Sequence, residues 1–119
     1  GVGESISGLD NATRAESVKA SGVWLAQHAV ETGSLVTNDR RIAFYSNRYL
    51  DRDFISSDHR LILRDLAKGR WPQSEFIALR FHRRQDHTQA GEQLETLGAT
   101  LVEIFSQPSG DTVIVYRLP

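Results

Sequence analysis

One continuous apolar run, Glu75-Phe-Ile-Ala-Leu-Arg-Phe81, indicates the centre of a β-sheet. The run is short and does not alternate with polar residues, which is typical of a strand that is covered on both faces. Trp71-Pro72 lies just before it and breaks any preceding helix. We therefore predict that these residues form the central strand of the fold.

Helical and strand patterns alternate around this strand. Apolar residues at helical spacing predict helices over residues 11–32, 40–46, 58–68 and 86–97. Asp10 or Asn11 is the expected cap of the first helix and Gly33 its stop, while Gly98 ends the last. Further strands are predicted at 34–37, 49–50, 100–105 and 112–118, of which the last two form a C-terminal hairpin.

This order of elements predicts an α/β fold. We expect a three-layer α/β/α sandwich with a mostly parallel sheet and a C-terminal antiparallel hairpin. Residues 1–10 are rich in Gly and Ser and lack periodicity, so they are predicted to be a flexible linker or lead-in. Residues 11–119 are then a single α/β domain, and a chain of 119 residues with 39% hydrophobic content can bury one core.

Composition excludes several classes of function. The formal net charge is -1, with 14 basic and 15 acidic residues, so we predict no nucleic-acid partner. The absence of cysteine excludes disulfides, thiolate metal ligands and a cysteine nucleophile. No apolar run is long enough to cross a bilayer. Because the sequence starts at Gly1 and contains no methionine, we expect an excised or processed piece of a longer protein.

Charged residues follow two of the predicted strands. If the strands at 34–37 and 75–81 are parallel neighbours, their carboxyl ends bring these residues to one rim, together with His82 and Asp86. Guanidinium groups and helix N-termini bind phosphate and carboxylate groups. The candidate ligand-binding residues are Asn38, Asp39, Arg40, Arg41, Arg83 and Arg84.

A second interpretation of the rim stays open, in which the arginines form solvated ion pairs with Asp39, Asp86 and Asp51. His82 and His87 are metal-capable, but no third histidine is near in sequence, so no metal site is predicted. The sequence has neither a nucleophile elbow nor a phosphate-cradling glycine loop after a strand. We therefore predict no catalytic residue and no cofactor.

Two segments carry a family resemblance: Ser21-Gly-Val-Trp-Leu-Ala-Gln-His28 and Leu35-Val-Thr-Asn-Asp-Arg-Arg-Ile-Ala-Phe-Tyr-Ser-Asn-Arg48. They resemble the soluble C-terminal region of bacterial polytopic membrane proteins of the dolichyl-phosphate-mannose protein mannosyltransferase and aminoarabinose transferase superfamily. There, a helix containing Trp-Leu precedes a strand ending near Asp or Asn and a Tyr-Ser-Gly-Arg-like turn. Asn47 stands where the family often has Gly, and Asn also accepts left-handed backbone.

The resemblance implies a noncatalytic accessory domain of a membrane glycosyltransferase-like protein. Such a domain lies on the extracytoplasmic side of the inner membrane, which is the periplasm of a Gram-negative cell. The catalytic acidic residues of that family lie on loops between transmembrane helices. The expected partners are therefore the transmembrane part of the parent chain and a glycan or polyprenyl-phosphate headgroup.

Two alternative functions remain at the level of sequence. In the first alternative, the chain is a free-standing small α/β ligand-binding protein or an enzyme acting on a phosphorylated metabolite. This alternative predicts a concave pocket with ionisable groups whose pKa values are perturbed. The third interpretation is a protein-interaction module, which predicts an exposed apolar patch. The sequence does not identify the substrate, the acceptor or the oligomeric state.

Overall fold

The computed structural model describes residues 16–28, 34–46, 56–108 and 110–119. The helices are α1 (Glu16–His28), α2 (Arg40–Tyr45), α3 (His59–Ala67) and α4 (His87–Thr96), and the strands are β1 (Ser34–Thr37), β2 (Ser74–Phe81), β3 (Thr100–Ser106) and β4 (Thr112–Arg117). The predicted elements in this part of the chain are confirmed. The predicted linker, the cap and stop of the first helix, and the strand at 49–50 lie outside the described residues.

The four strands form one mixed sheet in the order β1-β2-β4-β3. β1 and β2 are parallel, with Thr37 opposite Ala78, whereas β4 is antiparallel to both β2 and β3. β2 is therefore an interior strand, as predicted. Among the described strands only the β1–β2 pair is parallel, so a mostly parallel sheet is not confirmed. The reason is that β4 lies between β2 and β3, where one hairpin strand makes two antiparallel pairings.

Both faces of the sheet bury apolar side chains. Successive side chains of a strand point to opposite faces, and alternate residues of β2 and β4 accordingly belong to two separate clusters. One cluster joins the sheet to α3 and α4 and includes Ile62, Leu63, Ile77, Leu79, Phe81, Leu94 and Ile114. The other joins it to α1 and α2 and includes Val18, Leu25, Leu35, Ile42, Phe76, Ala78, Val113 and Val115.

Close packing between α1 and α2 depends on a glycine. A Cβ atom added at Gly22 would lie 2.9 Å from the Ile42 carbonyl oxygen and would also overlap the Cβ of Tyr45. Real Cβ atoms do not approach other heavy atoms so closely. Gly22 thus allows α1 to press directly on the backbone of α2, which begins at the predicted ligand rim. None of the described helices has the length and apolar character needed to span a bilayer.

Candidate functional site

The side chain of Asn38 joins the ends of β1 and β2 with two hydrogen bonds of the kind that a strand backbone would make. Asn38 follows the last residue of β1, and its Nδ2 donates to the Arg80 carbonyl oxygen at 2.9 Å. Its Oδ1 accepts from the Arg80 backbone N–H at 2.7 Å. These two hydrogen bonds extend the parallel pairing by one rung beyond the strand. Asn38 therefore holds the carboxyl ends of β1 and β2 side by side. This is the arrangement on which the predicted ligand rim depends.

Asp39 is the N-cap of α2 and is tightly held by Arg41. Its Oδ1 accepts from the Arg41 backbone N–H at 2.8 Å and from Nε at 3.1 Å, and its Oδ2 accepts from Nη2 at 2.7 Å. Burial by itself raises the pKa of Asp39, but these hydrogen bonds outweigh it and hold the pKa below its ordinary value of 3.8. The same pairing raises the pKa of Arg41. One predicted arginine thus forms an internal ion pair.

Arg80 lies one residue before the end of β2 and makes a second ion pair. Its Nη2 is 2.9 Å from Asp111 Oδ2, and the two side chains are only 19% and 17% exposed. Its Nε is 3.8 Å from Asp39 Oδ2, which is too long for a hydrogen bond, and has no acceptor among the described residues. Arg80 consequently joins the β1–α2 turn to the turn between β3 and β4.

These groups surround an open cavity of about 490 Å³ at the carboxyl ends of β1 and β2. Its lining residues are Asn38, Asp39, Arg40, Ser57, Arg80, His82 and Gln85. Gln85 is held in the lining by a hydrogen bond across the turn after β2, in which its Oε1 accepts from the His82 backbone N–H at 2.8 Å. The side chains of Arg40, Ser57 and His82 are exposed toward solvent. This cavity lies where open α/β sheets place their ligands.

Among the residues that the structure describes, the charges of the lining leave one cation without a partner. Asp39 is paired with Arg41, and Arg80 is paired with Asp111. Arg40 makes no hydrogen bond or ion pair with the described residues, although it lines the cavity. A guanidinium in this position can bind a phosphate or carboxylate through two parallel hydrogen bonds. Counted over the described lining residues and their ion-pair partners, the charge is therefore positive, even though the whole chain is nearly neutral.

Only half of the predicted site residues meet at this cavity. Asn38, Asp39 and Arg40 line it. Arg41, which pairs with Asp39, is not among the lining residues, and neither are Arg83 and Arg84, which are exposed in the turn after β2. Arg83 lies against the β3–β4 turn instead: a Cβ added at Gly110 would be 3.3 Å from the Arg83 Cα.

The structure describes no ion pair between Arg83 or Arg84 and either Asp86 or Asp51. The Asp86 side chain accepts from the Thr88 backbone N–H at 2.8 Å and caps α4. Asp51 lies outside the described residues. The second interpretation of the rim, in which carboxylates neutralise the arginines, therefore applies to Arg41 through Asp39, and the described contacts do not extend it to Arg83 and Arg84.

Three lining residues were not singled out from the sequence: Ser57, Arg80 and Gln85. Arg80 had a usable signal, because it is the one charged residue inside the apolar run near its carboxyl end. Ser57 precedes the cap of α3, and nothing in the sequence indicates that α3 begins beside this cavity. In the part of the chain that the structure describes, no group of three or more His, Asp or Glu side chains is placed to hold a metal ion.

Comparison of the chain with protein-family models, with curated proteins and with solved structures gives no match. The resemblance to the membrane transferase superfamily therefore rests on the two sequence segments alone.

Proposed function

We propose that this chain is a noncatalytic domain that binds a phosphate- or carboxylate-bearing ligand in the cavity at the carboxyl ends of β1 and β2. The observation that carries the proposal is Arg40, a cation without a described partner in a cavity whose other charges are paired. Exposed hydroxyl and imidazole groups of Ser57 and His82 in the same lining offer further contacts to an anion.

We place binding ahead of catalysis because of the state of Asp39. Its carboxylate accepts three hydrogen bonds from Arg41 and has a lowered pKa, so it is a poor proton donor and a weak base near neutral pH. The concave cavity also fits the alternative of a free-standing α/β protein that binds a phosphorylated metabolite. In both cases the same lining residues contact the ligand.

We further propose that this domain is the extracytoplasmic accessory part of a polytopic membrane glycosyltransferase-like protein. Support comes from the segments at 21–28 and 35–48, which resemble that superfamily. The ligand is then a glycan or polyprenyl-phosphate headgroup, and the partner is the transmembrane part of the same chain. The helices packed against both apolar clusters support a three-layer α/β/α arrangement of the whole domain.

An NMR titration tests the binding proposal directly. Inorganic phosphate and a polyprenyl-phosphate headgroup analogue should shift the amide signals of Arg40, Ser57 and Gln85. Arg40→Gln should weaken binding about tenfold or more, because a charge-assisted hydrogen bond contributes about 1.5–3 kcal/mol. Arg84→Gln removes an equal charge outside the cavity and is the matched control, which should bind like the wild type.

Equal weakening by the two variants would show that only general charge attracts the anion, and the cavity would lose its role. The membrane proposal has a separate test in the gene. Reading frames that encode several transmembrane helices before Gly1 would support it, and a gene without them would contradict it.

A further inference from the structure

The cavity contains an ionised acceptor as well as a cation, and this limits what can bind. Asp39 lines the cavity together with Arg40, and its side chain is 10% exposed. Because its pKa is lowered, the carboxylate carries its charge at neutral pH. A bare anion placed beside Arg40 offers no donor to this carboxylate, whose charge Arg41 already offsets. A ligand that also carries a hydrogen-bond donor would gain a second favourable contact.

Counting hydrogen bonds shows that Asp39 has room for such a donor. An ionised carboxylate offers about four lone-pair positions. Arg41 fills two of them on Oδ1 and one on Oδ2 among the described contacts. The remaining position is on Oδ2, and the nearby Nε of Arg80 is too distant to fill it, at 3.8 Å. Oδ2 can therefore accept one more hydrogen bond from a ligand.

Two other lining groups match a ligand of this kind. Ser57 offers an exposed hydroxyl that can donate to an anion. Gln85 uses its Oε1 for the His82 backbone N–H, which leaves its amide NH₂ as a donor. The cavity thus presents donors and a cation for a negative group, and one carboxylate oxygen for a neighbouring hydroxyl.

Resting on the proposed function, we infer that the ligand is a hydroxylated anion: a phosphate ester with a free hydroxyl close to the phosphate, as in polyol phosphates and sugar phosphates. Arg40 binds the phosphate, and Asp39 Oδ2 accepts from the hydroxyl. The same chemistry occurs in free metabolites and in lipid headgroups. No bond is made or broken in the cavity.

Two small probes that differ only in hydroxyl groups test this inference on the unmodified protein. Glycerol 1-phosphate and propyl phosphate carry the same phosphate monoester, but only the first has hydroxyls. Calorimetry or NMR titration should give a Kd about tenfold lower for glycerol 1-phosphate, the size expected for one hydrogen bond to a charged group. Equal Kd values for the two probes would overturn the inference while the proposed function stands. Binding of neither probe would overturn both.

Asp39→Asn identifies the acceptor. Asn is as good an N-cap as Asp, so α2 keeps its cap while the carboxylate is removed. In Asp39→Asn the ratio of the two Kd values, propyl phosphate over glycerol 1-phosphate, should fall to about one. Arg40→Gln should weaken the binding of both probes. A preference that survives in Asp39→Asn would overturn the assignment to Oδ2. Should this variant not fold, the comparison of the two probes on the wild type still decides.

Lipid vesicles distinguish the two sources of the ligand. Phosphatidylglycerol displays glycerol phosphate on a membrane, and phosphatidylcholine vesicles without it are the control. Cosedimentation that needs phosphatidylglycerol and is lost in Asp39→Asn and Arg40→Gln assigns the site to a lipid headgroup. Binding of soluble glycerol 1-phosphate without cosedimentation assigns it to a free phosphate ester. Cosedimentation that is equal in all variants would contradict a role for the cavity.

Discussion

Three consecutive residues at the end of β1 have three different tasks. Asn38 bonds the Arg80 backbone, Asp39 caps α2, and Arg40 faces the cavity. In the sequence these residues and Arg41 look like one polar group that binds an anion. A sequence gives the chemistry of a side chain but not the partner that it contacts. For that reason the position of these residues at the end of a strand follows from the sequence, whereas their separate contacts do not.

Gly22 shows how one residue can set the distance between two helices. We predict that Gly22→Ala destabilises the domain by about 1–3 kcal/mol, because the new methyl group overlaps Tyr45 and the Ile42 carbonyl oxygen. In an exposed helix interior the same change would stabilise by about 1 kcal/mol. Urea unfolding monitored by circular dichroism measures the difference.

Gln27→Ala is a suitable control, since Gln27 is exposed on α1. It should change the free energy of unfolding by less than about 0.5 kcal/mol. A Gly22→Ala variant that is as stable as the wild type would show that α1 and α2 do not pack as closely as described.

At the scale of elements, local signals predicted most of the fold. Asp58 and Asp86 accept from backbone N–H groups as helix caps, and Gly98 has a φ of 91° just past α4, where the sequence predicted its end. Such signals act within a few residues and can be recognised directly in the sequence. The order of the strands cannot be recognised in this way, because an apolar run such as 75–81 fits a parallel or an antiparallel neighbour. The insertion of β4 beside β2 depends on tertiary packing.

The side-chain rung between β1 and β2 gives a prediction at this scale. Asn38→Ala removes both hydrogen bonds to Arg80 and leaves a partly buried N–H and C=O without that partner. We expect a loss of about 1–3 kcal/mol in the free energy of unfolding. Thermal or urea unfolding measures it.

Asn38→Asp is the informative companion variant. It keeps an acceptor for the Arg80 N–H but places a carboxylate oxygen against the Arg80 carbonyl oxygen, so it should also be less stable than the wild type. Unchanged stability in both variants would mean that the rung contributes nothing to the sheet.

At the scale of the whole molecule, the candidate site could not be derived from the sequence in full. The net charge of the chain is -1, whereas the described lining residues and their ion-pair partners together carry a positive charge. The charge balance of the cavity depends on an ion pair between Arg80 and Asp111. Arg80 is on β2 and Asp111 is in the turn between β3 and β4, so the two meet only after folding. The sequence allowed a parallel β1–β2 pair only as a condition, and the structure contains this pair, which brings residues 38–40 beside the end of β2.

The stability of the folded chain should decrease in acid in two stages. Burial against Phe81, whose ring centre is 4.6 Å from that of His59, lowers the pKa of His59 below its ordinary value of 6.5. The unfolded chain therefore binds this proton more readily, and stability falls as the pH drops below that value. The lowered pKa of Asp39 adds a further loss below 3.8.

Thermal unfolding midpoints across this pH range measure both stages. His59→Gln should reduce the upper stage, and Asp39→Asn should reduce the lower one. A midpoint that rises as the pH falls from about 7 to about 5 would contradict the assignment to His59.

The strand order also implies a sequence of assembly. β3 and β4 are neighbours in the chain, so their pairing closes only a short loop, whereas β1 must find β2 across the intervening α2 and α3. The entropy of loop closure favours early formation of the hairpin and delays the parallel pair. The cavity needs that pair, together with the Arg80–Asp111 contact to the hairpin, and is complete only when both have formed. The cavity is therefore a property of the finished native state, and a partly folded chain that contained the hairpin alone would have no such cavity.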